Sequence, residues 1–413
     1  MDFRKVVKDA KKQINECTKY TVKSIKDICK TYGPRPCGSE SEKNAQEYMM
    51  KSLNEYADSV NRETFEVHPD AFMSFVPIAG SCLLASTACN IVGALKNKKT
   101  AAVSFGLIAS ALAGIVGEFG MYKEMLDPFF KKKESGNVIA VRKADGETKR
   151  RIILAGHTDS APEWTYTYKL GSNGVTAVAG YAIAGLLYTA VTSGVVLKTK
   201  NKSLAKKLSL GQLAFVPAYG LLYKFTNSKK YVEGANDNLT GCYIAASVLK
   251  FLNDNNIRFE NTEVVAAMVG GEEAGLRGSK AYFNAHPELK NDGVETMFFS
   301  IDTVRDEDYM VIYNKDMTGF VKNSDDACRL VQESARKCGY EVPMGTIPLG
   351  ATDAAAASQA GIPAASFVAM DSSPAKYYHT RLDTADNLIP ETIEKTLDIV
   401  LQTVFDFDEK GLC

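Results

Sequence analysis

The stretch EVVAAMVGGEEAGLRGS, residues 263–279, decides how the chain folds. Its opening apolar run, rich in β-branched residues, reads as a strand buried on both faces of a sheet. Gly270 and Gly271 end the run, and a helical pattern occupies roughly 275–285. Between strand and helix stand Glu272 and Glu273, side by side at the rim of a core. Alone, such a pair belongs at a helix start, where carboxylates favour the positive end of the dipole. Their context asks for another explanation.

Other apolar runs end the same way. RRIILAGH (150–157) leads into HTDS, placing His157 and Asp159 after a strand, and TMFFSID ends in Asp302. The loop GANDNLTG carries Asp237 just before a helix near 239–253, and KYYHTRLDTADN carries Tyr378, His379 and Asp383. Further helices are expected over 5–32, 39–57, 324–338 and 390–408, and further strands over 62–68, 137–143 and AASFVAM (364–370). Short apolar runs alternating with amphipathic helices predict an α/β three-layer sandwich on a mixed, mostly parallel sheet. In such sheets ligands bind beyond the carboxyl ends of the strands, which brings these polar groups together.

The chain of 413 residues holds only four histidines. Two of them gathered with several carboxylates call for a divalent cation as counter-charge. Nitrogen and oxygen donors without sulfur suit zinc, with manganese or cobalt as substitutes. The donor set exceeds the need of one tetrahedral ion and matches two ions about 3.5–4 Å apart. One glutamate can then bind metal while its neighbour moves a proton. His68 and His286 read as structural or surface residues. There is no G-x-S-x-G and no His-Glu-x-x-His, which removes the common serine-hydrolase and one-zinc protease readings.

Lys plus Arg and Asp plus Glu number 49 each, so no overall field favours nucleic acid. Nine cysteines, without a Cys-x-x-Cys pair, argue against a disulfide framework and fit a reducing compartment. The charged segment MDFRKVVKDAKKQINECTKY lacks an apolar stretch, so no cleavable signal peptide is expected.

Four uncharged stretches interrupt the α/β pattern: 71–95 and 100–117, joined by KNKK, and 170–197 and 208–223, joined by KTKNKSLAKK. About 20 apolar residues cross a bilayer, so the first and third suffice, the second is borderline and the fourth weak. Each pair reads as an inserted helical hairpin. The expected organisation is segments of the α/β domain at 1–69, 122–168 and 226–413, with hairpins inserted at 70–121 and 169–225. The hairpins imply a lipid bilayer as partner, or a lid or dimer interface if the protein is soluble and cytoplasmic. Lysines at both hairpin tips favour cytoplasmic tips, whereas the free thiols favour an α/β domain on the cytoplasmic side.

Taken in order, HTD, GANDN, GGEEAGLRGS, the Asp of FFSID and YHTRLD resemble the motifs of the two-zinc exopeptidase family of aminopeptidase S, aminopeptidase Y, bacterial leucyl aminopeptidase and glutamate carboxypeptidase. The match spans residues 40–70, 135–165 and 232–405, and the hairpins depart from it. The resemblance implies a peptide substrate, with His157 and Asp302 on one zinc, Glu273 and His379 on the other, and Asp237 bridging. It implies Glu272 as general base, Asp159 orienting His157, and Tyr378 steadying the oxyanion. Asp353 falls near a family Ser-Asp-His segment whose histidine is missing here. Aminopeptidase action is the leading expectation. A glutaminyl cyclase-like one-zinc acyltransferase and a non-catalytic binding module on the same fold are the alternatives.

Overall fold

The computed structural model describes residues 2–371 and 376–412. Its strands in chain order are β1 (Ser59–Val67), β2 (Lys133–Arg142), β3 (Arg150–His157), β4 (Pro162–Trp164), β5 (Thr226–Tyr231), β6 (Thr262–Val269), β7 (Glu295–Val304), β8 (Met310–Asp316), β9 (Val321–Lys322), β10 (Met344–Thr346) and β11 (Ala364–Ala369). The main sheet runs β1-β2-β6-β3-β7-β11-β8-β10, with β9 beside β8. Strands β6, β3, β7 and β11 are mutually parallel, and antiparallel strands flank them. This is the mixed, mostly parallel α/β sandwich that the alternation of runs implied.

Strand β3 shows why both faces are dry. Ile152 and Leu154 join one core with helices Ala10–Tyr32, Thr240–Asp254 and Pro390–Lys410. Ile153 and Ala155 point the other way, into a core shared with helices Arg277–Ala285 and Asp353–Ala360. The side-chain period of two splits one apolar run between two layers. Expected boundaries shift by a few residues: the first long helix starts at Ala10, the helix after the paired glutamates at Arg277, and β2 at Lys133. Strands β4, β5, β8, β9 and β10 lacked a sequence expectation, as did the helix Asp353–Ala360, which Gly361 terminates at φ 84°.

The inserted stretches form one helical bundle. Helix Phe75–Leu95 turns back as Lys99–Gly114 and a further turn to Gly120, and both pack on the long helix Ser172–Lys198. Phe72–Leu95, Lys99–Gly120 and Asn173–Lys198 are long and apolar enough to cross a membrane, with mean hydropathies of 1.7, 1.8 and 1.6. The fourth stretch is not one helix. It breaks into Lys202–Gly211, a 3-10 turn over Gln212–Phe215, and Val216–Leu222, because Pro217 cannot supply an amide to a continuous helix. The second hairpin therefore has one long arm and one broken arm.

Inside the bundle Asn90 Nδ2 donates to Ser193 Oγ at 2.9 Å, and Ser193 and Ser104 hydroxyls meet at 2.8 Å. Small polar residues thus face inward while Val103, Leu112, Ile183, Leu187 and Val191 stay exposed outside. That inversion suits lipid-facing helices, in which interhelical contacts use small and polar side chains.

Candidate metal centre

Strand β3 delivers His157 to the sheet rim with 1 % of its surface exposed. Strand β6 ends just before Glu272 and Glu273, and β7 carries Asp302 near its end. The parallel register pairs His157 with Val269, three residues before Glu272, so both strand ends open on the same side. His379 comes from the loop after β11, at φ 51°, and Thr303 beside Asp302 sits at φ 41°. Such conformations are uncommon for side chains of these types and cluster at functional sites.

All five expected ligands meet. Asp237 lies between the imidazoles, with Oδ1 3.0 Å from His157 Nε2 and Oδ2 3.0 Å from His379 Nε2. Glu273 Oε1 is 3.1 Å from His379 Nε2, and Glu272 Oε2 is 3.8 Å from His157 Nε2. Donor atoms of His157, Asp237 and Asp302 lie within 4.8 Å of one another, as do those of Asp237, Glu273 and His379. The two triads share Asp237. A third grouping of His157, Glu272 and Glu273 has the same compactness.

These groups fit a cation better than each other. Among the described residues, Asp237 Oδ2 and Glu273 Oε1 are buried without a hydrogen-bond donor although both face His379 Nε2, and His379 Nδ1 has no partner. Buried acceptors converging without donors are costly unless a positive charge sits among them. Tetrahedral zinc bonds of about 2.0–2.2 Å place ligand atoms roughly 3.3 Å apart, close to these separations.

The titration of the cluster says the same. Burial and the neighbouring carboxylates push Glu272 well above the ordinary glutamate value, although His157 opposes this. Burial and Asp237 likewise raise Asp302, to about 7. Burial opposes the charged form of His379, yet Glu273 and Asp237 raise it to about 10. Protons are being held where a divalent ion would replace them. Burial, then the surrounding carboxylates, keeps the Tyr378 phenol well above 10, so it remains a donor.

Asp159 takes a wider part than orienting His157. Its backbone carbonyl lies 3.2 Å from His157 Nδ1 and its Oδ1 3.5 Å away. The same carboxylate accepts from the amides of Glu272 and Glu273, each at 3.1 Å. It therefore fixes both the imidazole and the glutamate loop.

Sequence reasoning missed two supports. Arg35 is fully buried, and its guanidinium donates to the carbonyls of Thr158 (2.8 Å), Gly33 (2.9 Å), Glu233 (2.7 Å) and Gly234 (3.1 Å). It ties the His157 loop to the Asp237 loop; the flanking prolines of GPRP were the available signal. Asp383 accepts from Asn236 N and Nδ2, both 2.8 Å, and from Asp237 N at 3.1 Å. Its spacing of four from His379 was visible, but its partners were not. Asp353 is buried at a helix start, where Ser279 Oγ donates to it. His68 and His286 lie outside the cluster: His68 Nδ1 contacts the Phe130 carbonyl, and His286 pairs with Glu63 and Glu288.

The segments flanking the inserted helices reach the site. Trp164 N donates to the His379 carbonyl at 2.8 Å, and its ring meets the His379 ring edge-on at 4.7 Å. Arg381 clasps buried Glu163 through Nε and Nη2, at 2.6 and 2.7 Å. On the other side Arg277 Nη2 holds Asp127 at 2.7 Å, just after the first hairpin. A cavity of about 380 Å³ opens above Glu272, Glu273, Asp302, Tyr378 and His379.

No curated protein sequence matches the chain. Among solved structures it is similar to an aminopeptidase from Aneurinibacillus sp. strain AM-1, with 16% identity over 96% of this chain and 95% of that one and a TM-score of 0.57. BSAP, a zinc aminopeptidase from Bacillus subtilis, gives 14% identity over 94% of each chain and a TM-score of 0.56. A Bacteroides thetaiotaomicron glutaminyl cyclase bound to N-acetylhistamine gives 14% identity over 96% and 97% and a TM-score of 0.54. At such identities the likeness establishes a shared fold. Residues 222–404, which hold four of the five expected ligands, match the family described as peptidase family M28.

Proposed function

We propose that the protein is a membrane-attached, two-zinc aminopeptidase. The observation that carries this reading is the pair of donor triads sharing Asp237. His157, Asp237 and Asp302 would hold one ion, and Asp237, Glu273 and His379 the other. Bound there, the ions would polarise the scissile carbonyl and lower the pKa of the attacking water towards about 7.

The remaining work falls to the chain's own groups. Glu272 takes the proton from the water and passes it to the leaving amine. Burial already favours its protonated form, which suits the second half of that cycle. Tyr378, held protonated, donates to the oxygen on which negative charge develops. Asp159 keeps the Glu272 and Glu273 amides and the His157 ring in register.

Charge favours amino- over carboxypeptidase action. The cavity floor carries Glu272, Glu273 and Asp302, and among the described residues lining it there is no lysine or arginine. A terminal carboxylate therefore finds on the cavity wall no cationic side chain of the kind that carboxypeptidase action would require. Attachment to a membrane rests on the three long apolar helices and on the outward apolar face of their bundle.

The test is hydrolysis of peptides with a free amine, a blocked amine or a blocked carboxyl, alongside zinc analysis. Two zinc ions per chain and activity confined to free-amine substrates are expected. One zinc per chain with release of cyclised N-terminal glutamine would replace the proposal with a cyclase.

A further inference from the structure

The cavity above the metal cluster has walls that come from the inserted helices. Phe72 and Phe119 of the first insertion, with Tyr122 just beyond it, face the cavity on one side. Trp164 and Val175 line it from the second insertion and its foot, and Leu349 from the loop before helix Asp353–Ala360. The aromatic wall is continuous: Phe72 and Tyr122 have ring centroids 4.8 Å apart, and Phe119 and Tyr122 6.2 Å. It also abuts the glutamate loop. Gly275 sits at φ 99°, and a Cβ there would lie 2.9 Å from the Phe72 ring, so this loop position requires glycine to lie flat on the hairpin root.

The place of these residues along the apolar helices matters as much. Phe72 is the first residue of the candidate span Phe72–Leu95, Phe119 the last but one of Lys99–Gly120, and Val175 the third of Asn173–Lys198. All three apolar helices therefore start or finish at the cavity. A bilayer around the bundle would place the cavity at the boundary between lipid and water.

The surface beside the roots has the composition of such a boundary. Met121, Met125, Phe129, Leu170 and Phe320 are exposed there, Phe129 by 80 % and Phe320 by 68 %. Phe320 packs beside Gly120, and Leu170 beside Gly174. Leu349 both lines the cavity and is half exposed. Lys123, Lys131, Lys132, Lys169, Lys224 and Lys229 lie close by in sequence. Exposed aromatic and aliphatic residues mixed with lysines mark the headgroup level of membrane proteins.

We infer that the inserted helices are the substrate-selecting part of this enzyme. Their roots form an aromatic-walled pocket at membrane level, which takes the large apolar terminal residue of a peptide partitioned into the lipid surface. This rests on the peptidase reading and adds to it the substrate class and the route of entry. The aromatic wall holds the first side chain, and the exposed collar guides the lipid-bound remainder of the peptide. A hydrophobic pocket separates residues differing by several methylenes by at least ~30-fold.

The experiment uses the full chain, zinc-loaded, in nanodiscs containing anionic lipid. Turnover is compared for leucinamide against alaninamide, and for two leucyl peptides that differ only in a lipid-partitioning tail. Trp164, the single tryptophan of the chain and a cavity residue, gives a second readout. Its emission is followed as leucinamide or alaninamide is titrated into the Glu272→Gln variant.

A leucine-to-alanine ratio of at least ~30 and a tail advantage of at least ~10-fold are expected. The first ratio should collapse in Phe119→Ala and the second in Leu349→Ser. Equal handling of leucine and alanine, or ratios that neither substitution moves, overturns the inference even if hydrolysis is vigorous. If turnover is absent while Trp164 still separates leucinamide from alaninamide, the peptidase reading falls and the selective pocket stands. If neither turnover nor emission distinguishes them, both fall.

Discussion

Replacing Asp383 with asparagine tests whether the Asp237 loop is held in place for metal binding. Asp383 is fully buried, and its two oxygens accept from three donors, Asn236 N, Asn236 Nδ2 and Asp237 N. A carboxamide retains one oxygen, so an amide hydrogen turns towards one set of donors. One charge-assisted bond is lost and a buried donor is left unpaired, at a cost of about 1–3 kcal/mol. If that cost appears as displacement of Asp237, zinc affinity falls roughly 5- to 150-fold, since about 1.4 kcal/mol is a factor of ten. Loss of an outer hydrogen-bond partner of a ligand costs about 10–100-fold in other metal sites.

The metal-free chain responds differently. Burial, and then repulsion from Asp237, raises Asp383 to about 7, so removing its charge relieves strain when no cation is bound. The Tm of the metal-free variant should therefore change little while zinc affinity drops at both sites, because Asp237 belongs to both triads. Competition with a chelator of known affinity measures the first quantity and thermal melting the second. Unchanged zinc affinity, with or without a lower Tm, would refute the claim that Asp383 positions Asp237.

Three further outcomes are expected. Glu272→Gln should keep two zinc ions per chain by metal analysis yet lose about 10²–10⁴-fold in kcat, as removal of a general base does; full activity would reject the assignment. Glu42 is buried, and burial, with help from Asp159, raises it from 4.5 to about 8 despite bonds from Gly38 N and Ser135. The folded chain then keeps a proton that the unfolded chain loses, so the contribution of Glu42 to stability is fully present below 4.5 and falls on the order of 5 kcal/mol as pH rises to about 8. Urea melts of Glu42→Gln should show that slope removed. Arg35→Lys should lower stability by about 2–4 kcal/mol and weaken zinc binding, because an ammonium cannot span the four carbonyls the guanidinium reaches; unchanged denaturation and zinc titration would contradict it.

The sequence determined those features that rest on local pattern. A strand buried on both faces must be a short apolar run, so β3, β6 and β7 could be read directly, and the polar residues after them named His157, Glu272, Glu273 and Asp302 as neighbours at one rim. The apolar stretches were as visible, since length and the absence of charge are all that a candidate span requires. Tertiary structure alone decided the strand order, which places β3 between β6 and β7. It decided that Arg35 and Asp383 serve loops far from them in sequence, and that two insertions merge into one bundle whose roots wall the cavity. Periodicity records which face of an element is buried; it carries no record of which distant element covers that face, and the partners of buried polar groups are set by that covering.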